Sequence, residues 1–391
     1  MTGTRAEFGL LRPVVDGLIA AGMSVRLLVT GSHLVKALGY TISEIKAGGY
    51  AIDGTFDILK NDPATAPRVA FSRAFSAISE YLFHSPPDLL LLLGDRYEIF
   101  AAALAAEMAR VPVAHISGGD LTEGAMDDCY RHCLTKLSWL HFPSTEIYRK
   151  RVIQLGEEPE RVINAGSLGA ENALNLPVIP TDELSADLGF DLGRDFLLVT
   201  YHPETLGDTN PVEGLDQLLS ALDAIGMPVL FTGANADDEG AKINVRLAEY
   251  CAASENSVFK MSLGAVRYLS AMRRARALAG NSSSAVVEAP SFGVPAVNIG
   301  DRQKGRVMGA NVINCSADKA SVEAALREAI SDEFRCSIRD SISPYGGRGA
   351  AKKIAYHVAE FLKSGEKGLR KTFFDIDFAL KDCQRRADGV Y

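Results

Sequence analysis

Residues 280–306, GNSSSAVVEAPSFGVPAVNIGDRQKGR, decide how the 391-residue chain is read. The run at 275–279 delivers a strand to Gly280, and Asn281, Ser282, Ser283 and Ser284 are residue types that cap helix N-termini. A helix over 285–292, a Gly-Val-Pro turn, a strand over 294–299 and a basic loop carrying Arg302 and Arg306 follow. Unpaired N–H groups at such a helix start, joined by serine hydroxyls, make an anion site. Glu288 falls about one turn into the helix, where a carboxylate can accept hydrogen bonds from a ribose diol. Serine-rich caps and Gly-Val-Pro turns also occur in many α/β proteins, so this stretch alone leaves a purely structural role open.

Working outward, the chain is longer than one core usually serves, which points to two domains. Hydrophobic residues make up 47% and charged residues 23%, the balance of a soluble enzyme with ample core. A net charge of -8 argues against general nucleic-acid binding, so an anionic ligand needs a few local arginines. Cys129, Cys133, Cys251, Cys315, Cys336 and Cys383 form no CxxC pair and no regular framework. Reduced structural thiols, and hence the cytoplasm, are expected. No apolar run has the length of a membrane span, and the N-terminus lacks the regions of a signal peptide.

The sequence alternates strand and helix. Strands are expected at 23–30, 89–94, 111–116, 139–143, 162–165, 196–200, 229–232, 275–280, 294–299 and 312–314, with an Ala-rich helix at 99–110 and an amphipathic one at 350–362. The 89–94 strand reads as fully buried. This alternation, with Gly and polar residues at strand ends, predicts doubly wound sheets with ligands at the C-terminal strand ends. Residues 172–182, with two prolines, read as the linker. The domains expected are an N-terminal Rossmann-like domain over 1–172, a C-terminal one over 183–345, and a tail over 346–391 packing back on the first. Facing each other across a cleft, the two halves constitute a GT-B arrangement. A Gly-containing turn and an amphipathic helix open the chain with only Met1 and Thr2 before them. In an α/β domain a buried strand normally precedes such a turn, so the expectation is that the sequence starts late relative to its relatives.

Chemistry concentrates in the first half. Asp95 and Arg96 directly follow the 89–94 strand, and HISGGDLTEGAMDDCYRH (115–132) gathers Asp120, Glu123, Asp127, Asp128, Arg131 and His132 around a Gly-Gly turn. Converging carboxylates suit proton removal and delivery at carbon, because burial and mutual repulsion keep one of them neutral. A transition-metal site is disfavoured, since no His pair sits at helical ligand spacing. One of Asp127 and Asp128 could instead cap a helix over 129–137, and Asp120 could form a turn.

GTRAEFG, TGSHL, GDRYE, HISGGDLTEGAMDDCYRH, YHPET and the 280–306 stretch, in this order and spacing, resemble the hydrolysing UDP-N-acetylglucosamine 2-epimerases of sialic-acid and related nonulosonic-acid biosynthesis. The resemblance covers nearly the whole chain. It implies a GT-B fold, no cofactor, no metal, a homodimer or homotetramer, and conversion of a UDP-linked N-acetylhexosamine to the free C2 epimer plus UDP. The implied route eliminates UDP to a 2-acetamidoglucal and then adds water with the opposite configuration at C2. By motif position Asp95 and Asp127 are catalytic carboxylates, and His202 of YHPET contacts the nucleotide sugar. Asn235, Ser282, Ser283, Glu288 and Arg302 belong to the UDP site, with Arg5 and Arg96 helping to stabilise the departing pyrophosphate. One departure stands out. Many members carry a third catalytic carboxylate where this chain has Ser117, and Glu123 or Asp120 is expected to take over its role. A non-hydrolysing epimerase, which usually shows Ala-Gly-Leu-Arg where this chain has SGGD, a GT-B glycosyltransferase and an inactive nucleotide-sugar binder are the rival readings. The sugar, and the choice of UDP or GDP, stay open.

Overall fold

In the computed structural model, which describes residues 1–122, 126–203, 211–234 and 238–377, internal contacts divide the chain into two units. The first comprises Met1–Asp120, Met126–Glu171 and the segment from Gly349. The second comprises Asn172–Arg348 with Leu121 and Thr122.

The first unit holds two small parallel sheets. β1 (Leu27–Thr30) pairs with β2 (Ile52–Phe56), and β3 (Leu90–Leu93) pairs with β4 (Val113–Ile116), which pairs with β5 (Leu140–Phe142). The Ala-rich helix Tyr97–Met108 lies against helix Pro67–His84, where Ala70 and Ala74 share a buried cluster with Ala101 and Ala105. Helix Arg5–Ala20 begins in a capping box: Thr4 accepts from the Glu7 N–H while the Glu7 carboxylate takes the N–H groups of Gly3 and Thr4. Gly17 on this helix sits so close to helix Ala350–Ser364 that a Cβ would lie 2.9 Å from the Ala355 methyl. Gly349 has no side chain with which to cap that second helix. Glu171 does it instead, accepting the N–H groups of Gly349 and Ala351 at 2.7 Å each.

Several expected boundaries move for identifiable reasons. The strand expected at 23–30 contracts to β1, because Met23 to Arg26 lack a strand partner; β1 is joined on its inner side only by an isolated parallel bridge from Thr2 to Val29. For the same reason the 89–94 strand is not fully buried: Leu89 and Leu91 stay half-buried, and on that open edge the Leu91 carbonyl accepts from the Met1 amine at 3.0 Å. The 162–165 strand is a single bridge from Val162 to His141. The 172–182 linker is partly helical, with helices Leu168–Asn175 and Thr181–Leu188 leaving only 176–180 between them.

The second unit is one six-stranded parallel sheet. β6 (Leu197–Thr200), β7 (Val229–Thr232), β8 (Ser257–Lys260), β9 (Ala277–Gly280), β10 (Ala296–Ile299) and β11 (Val312–Cys315) lie in the order β11-β10-β9-β6-β7-β8. Numbered within the unit, that is the 3-2-1-4-5-6 order of a Rossmann fold read from the far edge. Both faces are covered. Leu197, Val199, Phe231, Ala277 and Val297 enter one buried cluster, while Leu198, Leu230, Leu278 and Ala296 enter another. This accounts for strands that read as continuous apolar runs instead of alternating ones.

The strand order reverses between β6 and β9, where Thr200 pairs with Gly280. Gly280 has φ +125°, and a Cβ there would sit within 1.9 Å of the Thr200 carbonyl oxygen. Gly280→Ala is therefore expected to cost roughly 3 kcal/mol or more, through backbone displacement at a buried strand end. Gly226→Ala, at φ +71° with nothing near its Cβ, should cost only about 1–2 kcal/mol. Thermal unfolding of the two variants checks this; equal losses would contradict the close-approach argument.

Candidate functional site

A ligand of a doubly wound sheet sits at the C-terminal strand ends where the strand order reverses. Here that point is built by Asn281, one residue beyond β9. Its side chain is fully buried and grips the backbone beyond β6 twice: Oδ1 accepts the His202 N–H at 2.7 Å, and Nδ2 donates to the His202 carbonyl at 2.9 Å. The Asn281 carbonyl in turn accepts Arg302 Nη1 at 3.0 Å and Gln303 Nε2 at 2.8 Å. One asparagine thus fixes His202, Arg302 and Gln303 around the end of β9. The sequence suggested only a capping role for Asn281, and the structure replaces it with this clamp.

The helix expected over 285–292 is also revised. It is a single turn, Ser284–Val287, followed by a 3-10 turn Ala289–Phe292, because Pro290 lacks the N–H that would continue the ladder and its ring crowds the preceding turn. Ser283 makes no side-chain capping bond. Ser282 Oγ lies 3.1 Å from Ser284 Oγ, which also meets the Tyr268 hydroxyl at 2.6 Å. Ser282 and Ser283 remain half-buried at this strand end.

Electrostatics here favour neutral groups in the unliganded unit. Burial, helped by the positive charge of Arg302, pushes the His202 imidazole down to about 4. Burial likewise raises Glu288 to about 7, only partly opposed by a backbone hydrogen bond and the charge of Arg306. A neutral imidazole and a carboxyl poised near neutrality can donate to an anionic or hydroxyl-bearing ligand without a large charge of their own.

In the first unit the expected carboxylates collect around one buried arginine. Arg131, 3% exposed, lies on helix Met126–Leu137. Its Nε donates to Asp95 Oδ2 at 2.8 Å and its Nη2 donates to the same oxygen. Nη1 reaches Asp128 Oδ1 and the Asp120 carbonyl, both at 2.9 Å. The helix starts at Met126, so Asp127 and Asp128 sit in its first turn and neither caps it. The Asp127 carboxyl is raised above the usual range, chiefly by burial and then by the charge of Asp95, against the opposing charges of Arg96 and Arg131. Beneath the cluster, buried His115 meets the Gly94 carbonyl through Nε2 at 2.8 Å, and burial lowers it to about 4. Ser117 adopts φ +73°, and at Gly119 a Cβ would lie 2.3 Å from the Tyr148 carbonyl, so the loop after β4 has little freedom.

Not every expected residue joins these groups. Arg5 is exposed and pairs with Glu44 at 3.0 Å. Arg96 pairs with the fully buried Glu98 at 2.6 Å and approaches Glu7, which burial lifts to about 7. Asp120 takes part through its backbone carbonyl. Glu123 and Asn235 lie outside the described residues. Sequence reasoning grouped Arg131 with the carboxylates without giving it a task. Its place three residues from Asp128 on a helix, where side chains meet, was the available signal. Among the described residues no group of three or more His, Cys, Asp or Glu side chains could hold a metal ion, and no helix is long and apolar enough to cross a membrane.

Opposite pH slopes follow for the two groups near β9. Glu288, raised from 4.5 to about 7, contributes stability that is complete below pH 4.5 and lost as pH rises through 7. His202, lowered from 6.5 to about 4, contributes stability complete above pH 6.5 and lost as pH falls through 4. Relative to the parent, Glu288→Gln should make unfolding free energy rise more steeply with pH between about 4.5 and 6.5, and His202→Gln should make it rise less. Denaturant titrations across that range test this, and slope changes of the same sign would contradict it.

The family model for UDP-N-acetylglucosamine 2-epimerase matches residues 19–359. The chain is 38% identical over 380 residues to an Escherichia coli protein called polysialic acid biosynthesis protein P7, covering 96% of each chain. It is 38% identical over 338 residues to the GDP/UDP-N,N'-diacetylbacillosamine 2-epimerase (hydrolyzing) of Campylobacter jejuni, covering 86% of this chain and 88% of that one. Among solved structures, an epimerase homologue from Listeria monocytogenes superposes with a TM-score of 0.78 at 18% identity, covering 96% of this chain and 98% of that one. The Neisseria meningitidis UDP-GlcNAc 2-epimerase bound to UDP-GlcNAc superposes with a TM-score of 0.75 at 17% identity, covering 93% and 98%. These likenesses place the fold in the GT-B class built from two Rossmann-like domains. On sequence and fold together, the chain belongs to the UDP-N-acetylglucosamine 2-epimerase family.

Proposed function

We infer that this hydrolysing nucleotide-sugar 2-epimerase divides its reaction between the two groups described above. The second unit binds the nucleotide diphosphate at the end of β9 through Ser282, Ser283, His202 and Arg302, with Glu288 on the ribose. Asn235 is assigned to the same pocket by its motif. The first unit handles protons at C2 of the sugar. Asp95 removes the C2 proton as the C1–O bond to the nucleotide breaks and its electrons leave with the diphosphate, giving a 1,2-unsaturated sugar. Asp127 then delivers a proton to the opposite face of C2 while water adds its oxygen at C1 and passes one of its protons to the Asp127 carboxylate; Asp95 releases the proton it took to solvent as the diphosphate departs. Overall, one water is consumed, and a free C2-epimeric sugar and a nucleoside diphosphate are released.

The observation that carries this assignment is the Arg131 cluster. Two bonds from Arg131 fall on one oxygen of Asp95 and orient it, while neighbouring Asp127 is pushed toward the protonated form. A carboxylate held by a guanidinium beside a carboxyl raised above its ordinary range suits a base and an acid in one turnover. Asp120 and Glu123 are the carboxylates assigned to the task left at Ser117. Arg96 and Arg5 are assigned to the departing diphosphate; the charge of Arg96 also acts on Asp127.

The substrate class is a UDP- or GDP-linked 2-acetamido sugar, with UDP-N-acetylglucosamine and diacetamido-trideoxyhexoses as the members to test. The place of action assigned is the cytoplasm, in nonulosonic-acid synthesis and as a homo-oligomer. The assay is a panel of these nucleotide sugars followed by proton NMR, with free C2 epimer and nucleoside diphosphate expected as products. A C2 epimer still carrying its nucleotide would contradict the hydrolysing assignment. Asp127→Asn should lower kcat by roughly 100-fold to 10,000-fold while UDP affinity stays within a few-fold. Arg131→Lys, which replaces the planar fork by a point charge, should also lower kcat more than it changes UDP affinity. Parent-like kcat in either variant would remove that residue from the chemistry.

A further inference from the structure

Helix Met126–Leu137, which carries Asp127, Asp128 and Arg131, has no glycine to close its C-terminal end. It runs directly into Ser138 and Trp139, so its last carbonyls need donors from elsewhere. The cation of its own last turn does not serve them, because the Lys136 amine turns away to Glu157 Oε1 at 2.7 Å and to the Leu155 carbonyl at 2.9 Å. The Ser138 hydroxyl donates to the Leu134 carbonyl at 2.7 Å. The main donor is Lys371, 235 residues on from Lys136. Its amine donates to the Lys136 carbonyl at 2.9 Å and to the Ser138 carbonyl at 2.7 Å, and it reaches the Thr135 carbonyl at 3.4 Å.

That amine is itself held in place. Glu157, fully buried, accepts Lys371 through Oε2 at 2.6 Å, and the same oxygen meets His141 Nε2 at 3.0 Å. Burial opposes the charge of this carboxyl, but the bonds from His141, Lys136 and Lys371 hold it at about 2. The residues that follow Lys371 dock beside it. The Thr372 hydroxyl donates to Glu158 Oε1 at 2.7 Å, the Phe374 N–H donates to the Gly156 carbonyl at 3.0 Å, and the Phe373 ring fills the space that a Cβ would need at Gly156. These contacts form a strap across the C-terminal end of the helix, and the reaction as assigned uses none of them.

We propose that Lys371 is a positioning residue for the reaction, capping helix Met126–Leu137 so that Arg131 stays in register with Asp95. The inference rests on the assignment of Asp95 and Asp127 to the proton transfers at C2. The path from cap to cluster is short. Thr135, whose carbonyl Lys371 reaches, is fully buried, and its hydroxyl donates to the Arg131 carbonyl at 3.2 Å. Arg131 lies about 9 Å along the helix axis from Leu137. A shift of an uncapped end therefore carries to the guanidinium that grips Asp95. The positive charge of Lys371 also matches the negative end of the helix dipole. Misplacement of reacting groups by about 1 Å can cost on the order of 100-fold in rate. The nucleotide contacts assigned around β9 do not involve this helix, so binding of the nucleotide is spared.

The test compares three variants of the full chain. Lys371→Met keeps the apolar stem and removes the amine. It is expected to lower kcat by about tenfold or more while KM and UDP affinity stay within about threefold of the parent. Solvent exchange of the Arg131 Nε–H, followed by NMR, should quicken by about tenfold or more as the bond to Asp95 opens more often. Thr372→Val, which removes the bond to Glu158 and none to the helix, should leave kcat and exchange unchanged. Glu157→Gln combined with Lys371→Met also removes the carboxylate charge that the lost amine had balanced, and it should keep the low kcat and the fast exchange. Parent-like kcat and exchange in Lys371→Met would overturn the proposal. So would a return of kcat to the parent level in the double variant, which would reduce Lys371 to a counter-ion for Glu157. An equal loss in Thr372→Val would overturn it too, by making the effect one of strap docking in general. If the parent turns over none of the nucleotide sugars, the reaction assignment falls, while exchange at Arg131 still decides whether Lys371 holds it.

Discussion

The second unit depends on the contact between Thr200 and Gly280. Only a residue without a Cβ lets β9 run beside β6 to its last position, and that pairing brings Asn281 within reach of His202. The two bonds from Asn281 convert a sheet register into the placement of functional side chains, because the same residue's carbonyl holds Arg302 and Gln303. Burial supplies the rest: it keeps His202 neutral and brings Glu288 close to neutrality. In the proposed reaction, groups held this way would take their charge from a diphosphate whose negative charge grows as it leaves.

The first unit has a different logic. There a charged group is buried, and the carboxylates are what make that tolerable. Arg131 satisfies its donors with Asp95, Asp128 and the Asp120 carbonyl, so removing one partner would leave charge stranded in the interior. Asp127 lies next to this balanced set, close enough to feel the charge of Asp95 as well as those of Arg96 and Arg131, and its carboxyl rises. The contrast between a carboxylate that is gripped and one that is crowded is a stable consequence of helix Met126–Leu137 starting where it does. Ser117 and Gly119 hold the preceding loop in conformations that leave it little choice of path.

Much of this was legible in the sequence. The 229–232 strand has the bounds expected, and β6, β9, β10 and β11 differ from expectation only at their ends, because buried parallel strands announce themselves as apolar runs between turn residues. The strand Ile52–Phe56 was not read, since IDGTF carries Asp and Gly and is mostly open to solvent. The long helix after Ser284 was read but is not built, and Pro290 is the physical reason. The positions of Asp95, Asp127, Ser282 and Glu288 at strand ends or helix starts were legible from motif and pattern. The tasks of Arg131 and Asn281 were not. Each works through partners far away in sequence, Asn281 across 79 residues and Arg131 across 36, and no local pattern encodes such a bond.

The family and the carboxylate cluster of the first unit are the grounds for the proposed elimination followed by hydration at C2. The most direct test is turnover of a nucleotide 2-acetamido sugar in deuterium oxide, with the released sugar analysed by NMR and mass spectrometry. The account requires one solvent deuterium at C2 of the free epimer, because the hydrogen removed by one group is replaced from another exposed to solvent. Release of a sugar that keeps its original C2 hydrogen would contradict it.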